Sequence, residues 1–571
     1  MALLFLALTL IYFCNFRLRG AGDSLPTRVL PFSILREANL DLNEFTWASS
    51  PERGWPYYIH GKFEGDGFRF YSVSSIATAV VVTPLYLAPT AWLAWNDISY
   101  DDSRARVVMV LMEKLSAALL TAMSAALLFL ALSGMTTWRW ALALTMVYAL
   151  GTSTWSISSQ ALWSHALSEL CLAALFAILI HRNGSKGWRL AAAVVAILMV
   201  WNRPQMAVFA AVLFVYAVSR DRRAVIPLFG LAFVSGALLL AYNLWALGNP
   251  AGGYGSFGHF SHPLMKGLAG LTVSPNRGLF IYTPIAIFSA WGAVQVWRRD
   301  APAWLRMMTV GLAGHVILYS KFDEWWAGFS YGPRYFSDVQ PLLVVLLVYG
   351  LVPYWRLRSV RAGALLCVAY GVFVQAVGVY AEDDGWNRDP ISVDTRPERV
   401  WDWGDTQIWR AMGNGFRGFE LLPVLVDTFR DDVPARLVEL NQADLASRVE
   451  LVDMPTEIRA RDTATMRVRV TNTGNAAWPM FSGKGLLDIR HLVFVVQSWK
   501  LRGQPIAGLG EVVLLPENLA PGESREMELP LTAPPQAGEF EIEVRVTQAI
   551  DGQRGTPSPN AATTRLRVRS R

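Results

Sequence analysis

Charge is scarce in this sequence. Asp, Glu, Lys and Arg make up 17% of its 571 residues, against about 25% in a soluble globular chain. Apolar residues reach 53%, and the mean hydropathy is +0.30. This balance excludes a disordered protein and an ordinary cytosolic enzyme. Cysteine is scarcer still. Cys14, Cys171 and Cys367 each lie inside an apolar run, so neither a disulfide framework nor a cysteine metal site is spelled out. Other signatures are missing. There is no G-x-x-x-x-G-K-[ST] loop, no G-x-S-x-G elbow and no H-E-x-x-H pair, which argues against nucleotide hydrolysis and the common hydrolase chemistries. No segment is large enough for a separate cytosolic domain that would use a soluble nucleotide sugar.

What is present is a series of apolar runs. They predict helices near 2–16, 76–96, 107–132, 139–155, 163–181, 189–202, 205–218, 224–247, 277–297, 303–321, 338–354 and 362–380. Several are short of the roughly 20 residues of a simple span, so tilted, broken or re-entrant segments are expected. Four basic clusters punctuate the runs: Arg182, Lys186 and Arg189; Arg220, Arg222 and Arg223; Arg298 and Arg299; Arg356, Arg358 and Arg361. The positive-inside bias makes these cytoplasmic. Loops near 156–164, 202–204, 248–276 and 322–337, and everything after Tyr380, then face outside. With Met1 inside, the polar loop 17–75 is outside too, and one early segment, 76–96 by preference, does not cross simply. The net charge of +6, scattered in loops, fits this pattern rather than a nucleic-acid surface.

Residues 381–448 form a polar, Trp-rich region carrying Trp386, Trp401, Trp403 and Trp409. From about 449 the period changes to two. The runs "TMRVRVTNTG", "LLDIRHLVFVV", "REMELPLTAP" and "EFEIEVRVTQAI", with turn signals between them, predict an antiparallel sandwich over 449–571. The stretches "VTNTGNAAWP" and "LAPGESREMELPLTAPPQAGEFEIEVRV" resemble immunoglobulin-like modules appended to bacterial surface proteins.

Several stretches hold the candidate chemistry. Loop 17–75 carries Asp23, Glu37, Asp41, Glu44, Glu52, Glu64 and Asp66. Asp23 lies just beyond the first apolar run, where a carboxylate outside the bilayer can act as a general base toward a hydroxyl or amine. The second stretch, "SKFDEWWAGFSYGPRYFSD", sets Lys321, Asp323, Glu324, Arg334 and Asp338 among Trp325, Trp326, Tyr331 and Tyr335. Arg334 can pair with a phosphate through two N–H groups, and the aromatics can hold a prenyl chain or a sugar face. Gly328, Gly332 and Pro333 predict a shaped turn rather than a plain interfacial belt. The third, "GGYGSFGHFSHPLMKG" with "SPNRG", offers His259, His262, Lys266 and Arg277. The His259-x-x-His262 spacing lacks a nearby third ligand for zinc, so a substrate-covering loop with Arg277 or Lys266 near a phosphate is the expectation. Last come Gln160 and His165 in "SSQALWSHALSEL", and Arg203 in "WNRPQ". An Arg at membrane depth defaults to a functional hypothesis.

"GDSLPTRVLPFSILREANLDLNEF" and "YSVSSIATAVVVTPLYLAP" give one long external loop after the first helix, opened by an acidic residue, followed by a Pro-containing second helix. This arrangement resembles the GT-C superfamily of membrane glycosyltransferases, especially protein O-mannosyltransferases and lipid A aminoarabinose transferases. "SPNRGLFIYTPI" and "EWWAGFSYGPRYFSDVQPLL" look like bacterial GT-C-type proteins. The resemblance covers residues 1–380. It implies a polytopic α-helical membrane protein of a bacterial-type inner membrane, to which the strand pattern adds a C-terminal all-β immunoglobulin-like sandwich and the loop charges place that domain outside. The implied activity is transfer of a sugar from a polyprenyl-phosphate donor to an extracytoplasmic acceptor with inversion, with Asp23 as base. The family often has two adjacent acidic residues there, whereas Asp23 is followed by Ser24. No cofactor, no metal and no nucleic acid are expected. The partners are the lipid-linked sugar, the acceptor and the bilayer. A transporter of a lipid-linked glycan would share the helices without needing Asp23. A non-catalytic envelope scaffold would keep Asp23 far from Arg334.

Overall fold

The computed structural model describes the chain except residues 18–21, 46–47, 49–55, 65–66, 101, 183–186, 255–258, 423–424, 426–438, 461, 480–491, 502, 516–517, 535, 551–552 and 570–571. Glu52, Asp66, Lys186 and the 486–491 part of one expected strand therefore lie outside the described residues.

The apolar runs do form helices. Six of those described, Ala77–Trp95, Arg104–Ser133, Ser164–His181, Arg222–Leu247, Arg334–Tyr354 and Arg358–Tyr380, are long and apolar enough to cross a membrane. The chain is thus a helical protein compatible with a multi-pass membrane protein, followed by a β-rich region. Helix Ser103–Ser133 is capped by Asp102, whose carboxylate accepts from the Arg104 N–H at 2.8 Å. Its 31 residues span about 46 Å at 1.5 Å each, more than the roughly 30 Å of a hydrocarbon core.

The bundle has two distinct ends. Helices Ser164–His181 and Gln340–Gly350 both begin near one point, where His165 meets Asp338, and run the same way. At their far ends the basic loops gather: Arg189 pairs with Asp221 at 3.0 Å, and Arg299 donates to the Tyr354 hydroxyl. Helix Ala2–Phe13 finishes at the His165 end, where the Tyr12 hydroxyl donates to the Ala149 carbonyl and Asn15 donates to Gln160.

The polar stretch after the first helix is not a bare loop. It contains helix Leu25–Arg36, with Pro26 in its first turn and Pro31 inside, and a hairpin of β1 (Ile59–Glu64) and β2 (Gly67–Ser72). Residues 77–95 are broken into three helical pieces. Phe32 touches both Tyr86 and Tyr100, so residues 87–99 leave and return to one place. The run expected over 277–297 divides into Leu279–Tyr282 and Ala286–Arg298. Pro284, which lacks an N–H, stands at the break.

The β-rich region begins at Ser447. Strands β3 (Ser447–Asp453), β5 (Thr463–Asn472) and β8 (Ser524–Thr532) form one antiparallel sheet. Strands β4 (Glu457–Arg459), β10 (Gln553–Arg569), β9 (Gly538–Ile550), β6 (Val493–Leu501) and β7 (Gln504–Leu514) form the other, in that order, with β4 parallel to β10. Met466, Val468 and Val470 alternate inward along β5. They share one buried cluster with Leu529 of β8, Val495 of β6 and Ile542 of β9, so the two sheets enclose a common core, as alternation requires.

Candidate functional site

Four consecutive residues organise the site. At the start of helix Ser164–His181, each residue from 162 to 165 engages a different charged group. The Leu162 N–H donates to Glu113 (3.2 Å), the Trp163 indole donates to Asp23 (2.8 Å), the Ser164 hydroxyl accepts from Arg203 (3.0 Å), and His165 bonds to Asp338 (2.9 Å). The first contact uses a backbone N–H just ahead of the helix, and the other three are made by side chains.

Asp23 and Arg334 form the outer pair. One Asp23 oxygen accepts from Trp163 and the other from an Arg334 Nη at 3.1 Å. Both side chains remain partly open, at 33% and 18% exposure. Arg334 is presented by a 3₁₀ turn, Arg334–Val339, entered through Gly332 and Pro333. Gly332 sits at φ +68°, and a Cβ there would come within 2.4 Å of the Tyr282 ring. Only glycine fits both demands.

Beneath lies a closed group. The Asp338 carboxylate meets His165 Nδ1 on one oxygen and Arg203 Nε at 2.9 Å on the other. An ionised carboxylate only accepts, so Nδ1 carries the proton. Arg203 also donates to the Tyr319 hydroxyl at 2.8 Å. Tyr319 stacks on Tyr335 at 4.0 Å, and the Tyr335 carbonyl is bonded to His315. Asp338 is fully buried. Burying charge is costly unless it is paired, and here each Asp338 oxygen faces a basic side chain.

Glu113 fixes the outer pair from behind. Its carboxylate accepts from Ser24 Oγ at 2.6 Å, from Arg28 at 3.1 Å and from the Leu162 N–H. Ser24 follows Asp23 and Leu162 precedes Trp163. One buried carboxylate therefore tethers the chain on both sides of the Asp23–Trp163 contact. Glu113, Arg28 and Trp163 were not singled out from the sequence. The signal that was available is a charged pair, Glu113-Lys114, interrupting an apolar run.

Other expected residues lie apart from this centre. All five Arg277 N–H groups are spent, on the carbonyls of Trp326, Asn276 and Gly328 and on the side chains of Gln407 and Asn387. Burial pulls its guanidinium down to about 10, still charged at neutral pH. Here it ties segment 326–332 to the Trp-rich region. Tyr331 is buried against Tyr282 and donates to the Val374 carbonyl. Trp325 is buried beside Gly270, and the Trp326 indole donates to Asp394. Glu324 is exposed, and its carbonyl accepts from the Tyr335 hydroxyl.

His259, His262, Lys321 and Asp323 form a rim. The Asp323 N–H donates to the His259 carbonyl and the His262 N–H to the Lys321 carbonyl. Ser261 donates both its hydroxyl and its N–H to Asp323. The hydroxyl bond, and then the backbone bonds, hold the Asp323 carboxyl below its usual range. Among the described residues, no group of three or more His, Cys, Asp or Glu is placed to hold a metal.

No protein-family model and no curated protein sequence matches this chain. Among solved structures, it is similar to Pseudomonas fluorescens alkylpurine DNA glycosylase AlkC bound to DNA containing an abasic site analog, at TM-score 0.16 and 12% identity, over 79% of this chain and 99% of that one. A likeness that weak carries no argument about fold or function.

Proposed function

We propose that this protein is a GT-C-like glycosyltransferase of a bacterial-type inner membrane. It takes a sugar from a polyprenyl-phosphate donor and passes it to an acceptor on the outer face. The observation that supports this reading is the partly open Asp23–Arg334 pair at the end of the bundle opposite the basic loops. Asp23 accepts the proton of an acceptor hydroxyl or amine. The freed lone pair attacks the anomeric carbon from the side opposite the phosphate, the bond from that carbon to the phosphate oxygen breaks, and polyprenyl phosphate leaves with the electron pair. The configuration inverts. Arg334, which needs to swing only from Asp23 to the leaving group, offsets the developing charge. Arg203 lies next in line but is engaged by Asp338, Ser164 and Tyr319.

The two-sheet region belongs outside on this reading, as an immunoglobulin-like module that guides the acceptor. A scaffold expects Asp23 far from Arg334, and the 3.1 Å contact weighs against that alternative. The deciding experiment uses purified protein in lipid with a panel of polyprenyl-phosphate sugars, wild type beside Asp23→Asn, followed by mass spectrometry. Turnover lost in the variant supports the reading. Donor binding without turnover in either protein turns it toward a transporter, and absence of binding turns it toward a scaffold.

A further inference from the structure

We propose that residues 407–422 are an anchor seated in the outer leaflet of the bilayer. This proposal is independent of the chemistry assigned to Asp23. The segment exposes Trp409 at 71%, Phe416 at 68%, Phe419 at 48% and Met412 at 44%. Large apolar groups this open, clustered in sixteen positions, need a partner.

The placement of the segment says which partner. Its underside rests on the outer ends of two helices whose outward faces are apolar. On helix Arg358–Tyr380, the exposed residues Leu366, Tyr370 and Phe373 lead at helical spacing to Val377 and Tyr380. Val377 packs in one cluster with Ile408 and Ala411, and Tyr380 stacks on Phe416 at 5.3 Å. On helix Ala2–Phe13, exposed Leu3, Leu6 and Leu10 lead to Asn15 and Phe16. The carbonyls of these two accept from the N–H groups of Phe419 and Leu421. Two lipid-facing stripes thus continue into one aromatic collar, at the level where Trp and other amphipathic rings favour the membrane interface.

The charges in the collar are paired. Arg410 pairs with Asp405 at 2.7 Å, Arg417 with Asp383 at 3.0 Å, and Glu420 with Arg17 at 2.7 Å. Asn414 donates to Asp383. A sugar or glycan platform needs free polar groups beside its rings, and here those groups are engaged by other side chains. The most exposed large side chains of the segment are the uncharged Trp409, Met412, Phe416 and Phe419, a set suited to the headgroup–acyl boundary.

The test places a fluorescent NBD label at Trp409→Cys or Phe416→Cys in the full-length protein with Cys14→Ser and Cys367→Ser, held in lipid nanodiscs. Val452→Cys, exposed on β3, serves as the aqueous reference. Positions 409 and 416 are expected to show blue-shifted emission, several-fold stronger quenching by lipids carrying a shallow spin label than at 452, and several-fold weaker quenching by iodide. Equal iodide quenching at all three positions overturns the proposal. Protection that appears only when a polyprenyl-phosphate sugar or a glycan acceptor is added also overturns it, in favour of a substrate platform. Met412→Cys repeats the measurement at a site whose side chain fills no core.

Discussion

Asp23 and Arg334 stand 311 positions apart in the chain and meet at 3.1 Å. Because Asp23 is about a third exposed, solvent screens the pair and its attraction stabilises the fold by about 1 kcal/mol. Asp23→Asn and Arg334→Gln are therefore expected to leave the melting temperature nearly unchanged. Transfer should fall by about 10²–10⁴-fold for the base and by about 10²–10³-fold for the cation. Parallel thermal unfolding and turnover measurements separate the two effects. A large loss of stability with either variant would make the pair structural instead.

The deeper group predicts the reverse. Arg203, Asp338 and His165 are buried, and Asp338 bonds to both of the others. Removing one partner strands a charge, at a cost of about 3–5 kcal/mol. Asp338→Leu or Arg203→Met alone should lower the unfolding midpoint in detergent strongly, and the double change should recover a large part of the loss. If each single variant is as stable as wild type, the three are not held as described.

Glu113 should act through geometry. Ser24→Ala deletes one of its donors without leaving a charge exposed. Freed from that tether, Asp23 is expected to lose register with Trp163, lowering kcat by about 10- to 100-fold with KM little changed. Ser24→Thr, which keeps the hydroxyl, should restore most of the rate. Equal kcat in Ser24→Ala and wild type would remove Glu113 from the positioning of Asp23.

The rim loop should be sensitive to acid. The Asp323 carboxyl is held below its usual range by Ser261. A group with a depressed folded value contributes its stabilisation above its unfolded value, about 3.9, and loses it as pH falls through the folded value. The amides of His262 and Asp323, bonded across the loop, should stay protected from hydrogen exchange down to about pH 4 and lose protection below it. Ser261→Ala should move that loss to higher pH. A pH at which protection is lost that is the same in Ser261→Ala and wild type would show the latch does not depend on the carboxylate.

Much of the helical layout is legible in the sequence because it is local. Long, mainly apolar runs define the helices at 103–133, 164–181, 225–247 and 358–380, and alternation defines β5 and β8. Helix Leu25–Arg36 escaped that reading. Two prolines and two arginines dilute its pattern, and only burial of residues 25–33 against neighbouring helices holds it. Of the candidate residues, Asp23, Arg334, His165 and Arg203 could be named from residue type and loop position.

Partnership could not be read the same way. Arg277 reads as a cation free for phosphate, yet the tertiary structure surrounds it with five acceptors. Glu113 reads as one anomaly in an apolar run, yet it holds two segments about fifty residues or more from it along the chain. Hydrophobic periodicity is fixed by near neighbours, so the sequence by itself determined which segments are helix or strand. Ion pairs and hydrogen bonds are short-ranged and join distant segments. Only the packed bundle decided that residues 162–165 would gather Glu113, Asp23, Arg203 and Asp338 at one end.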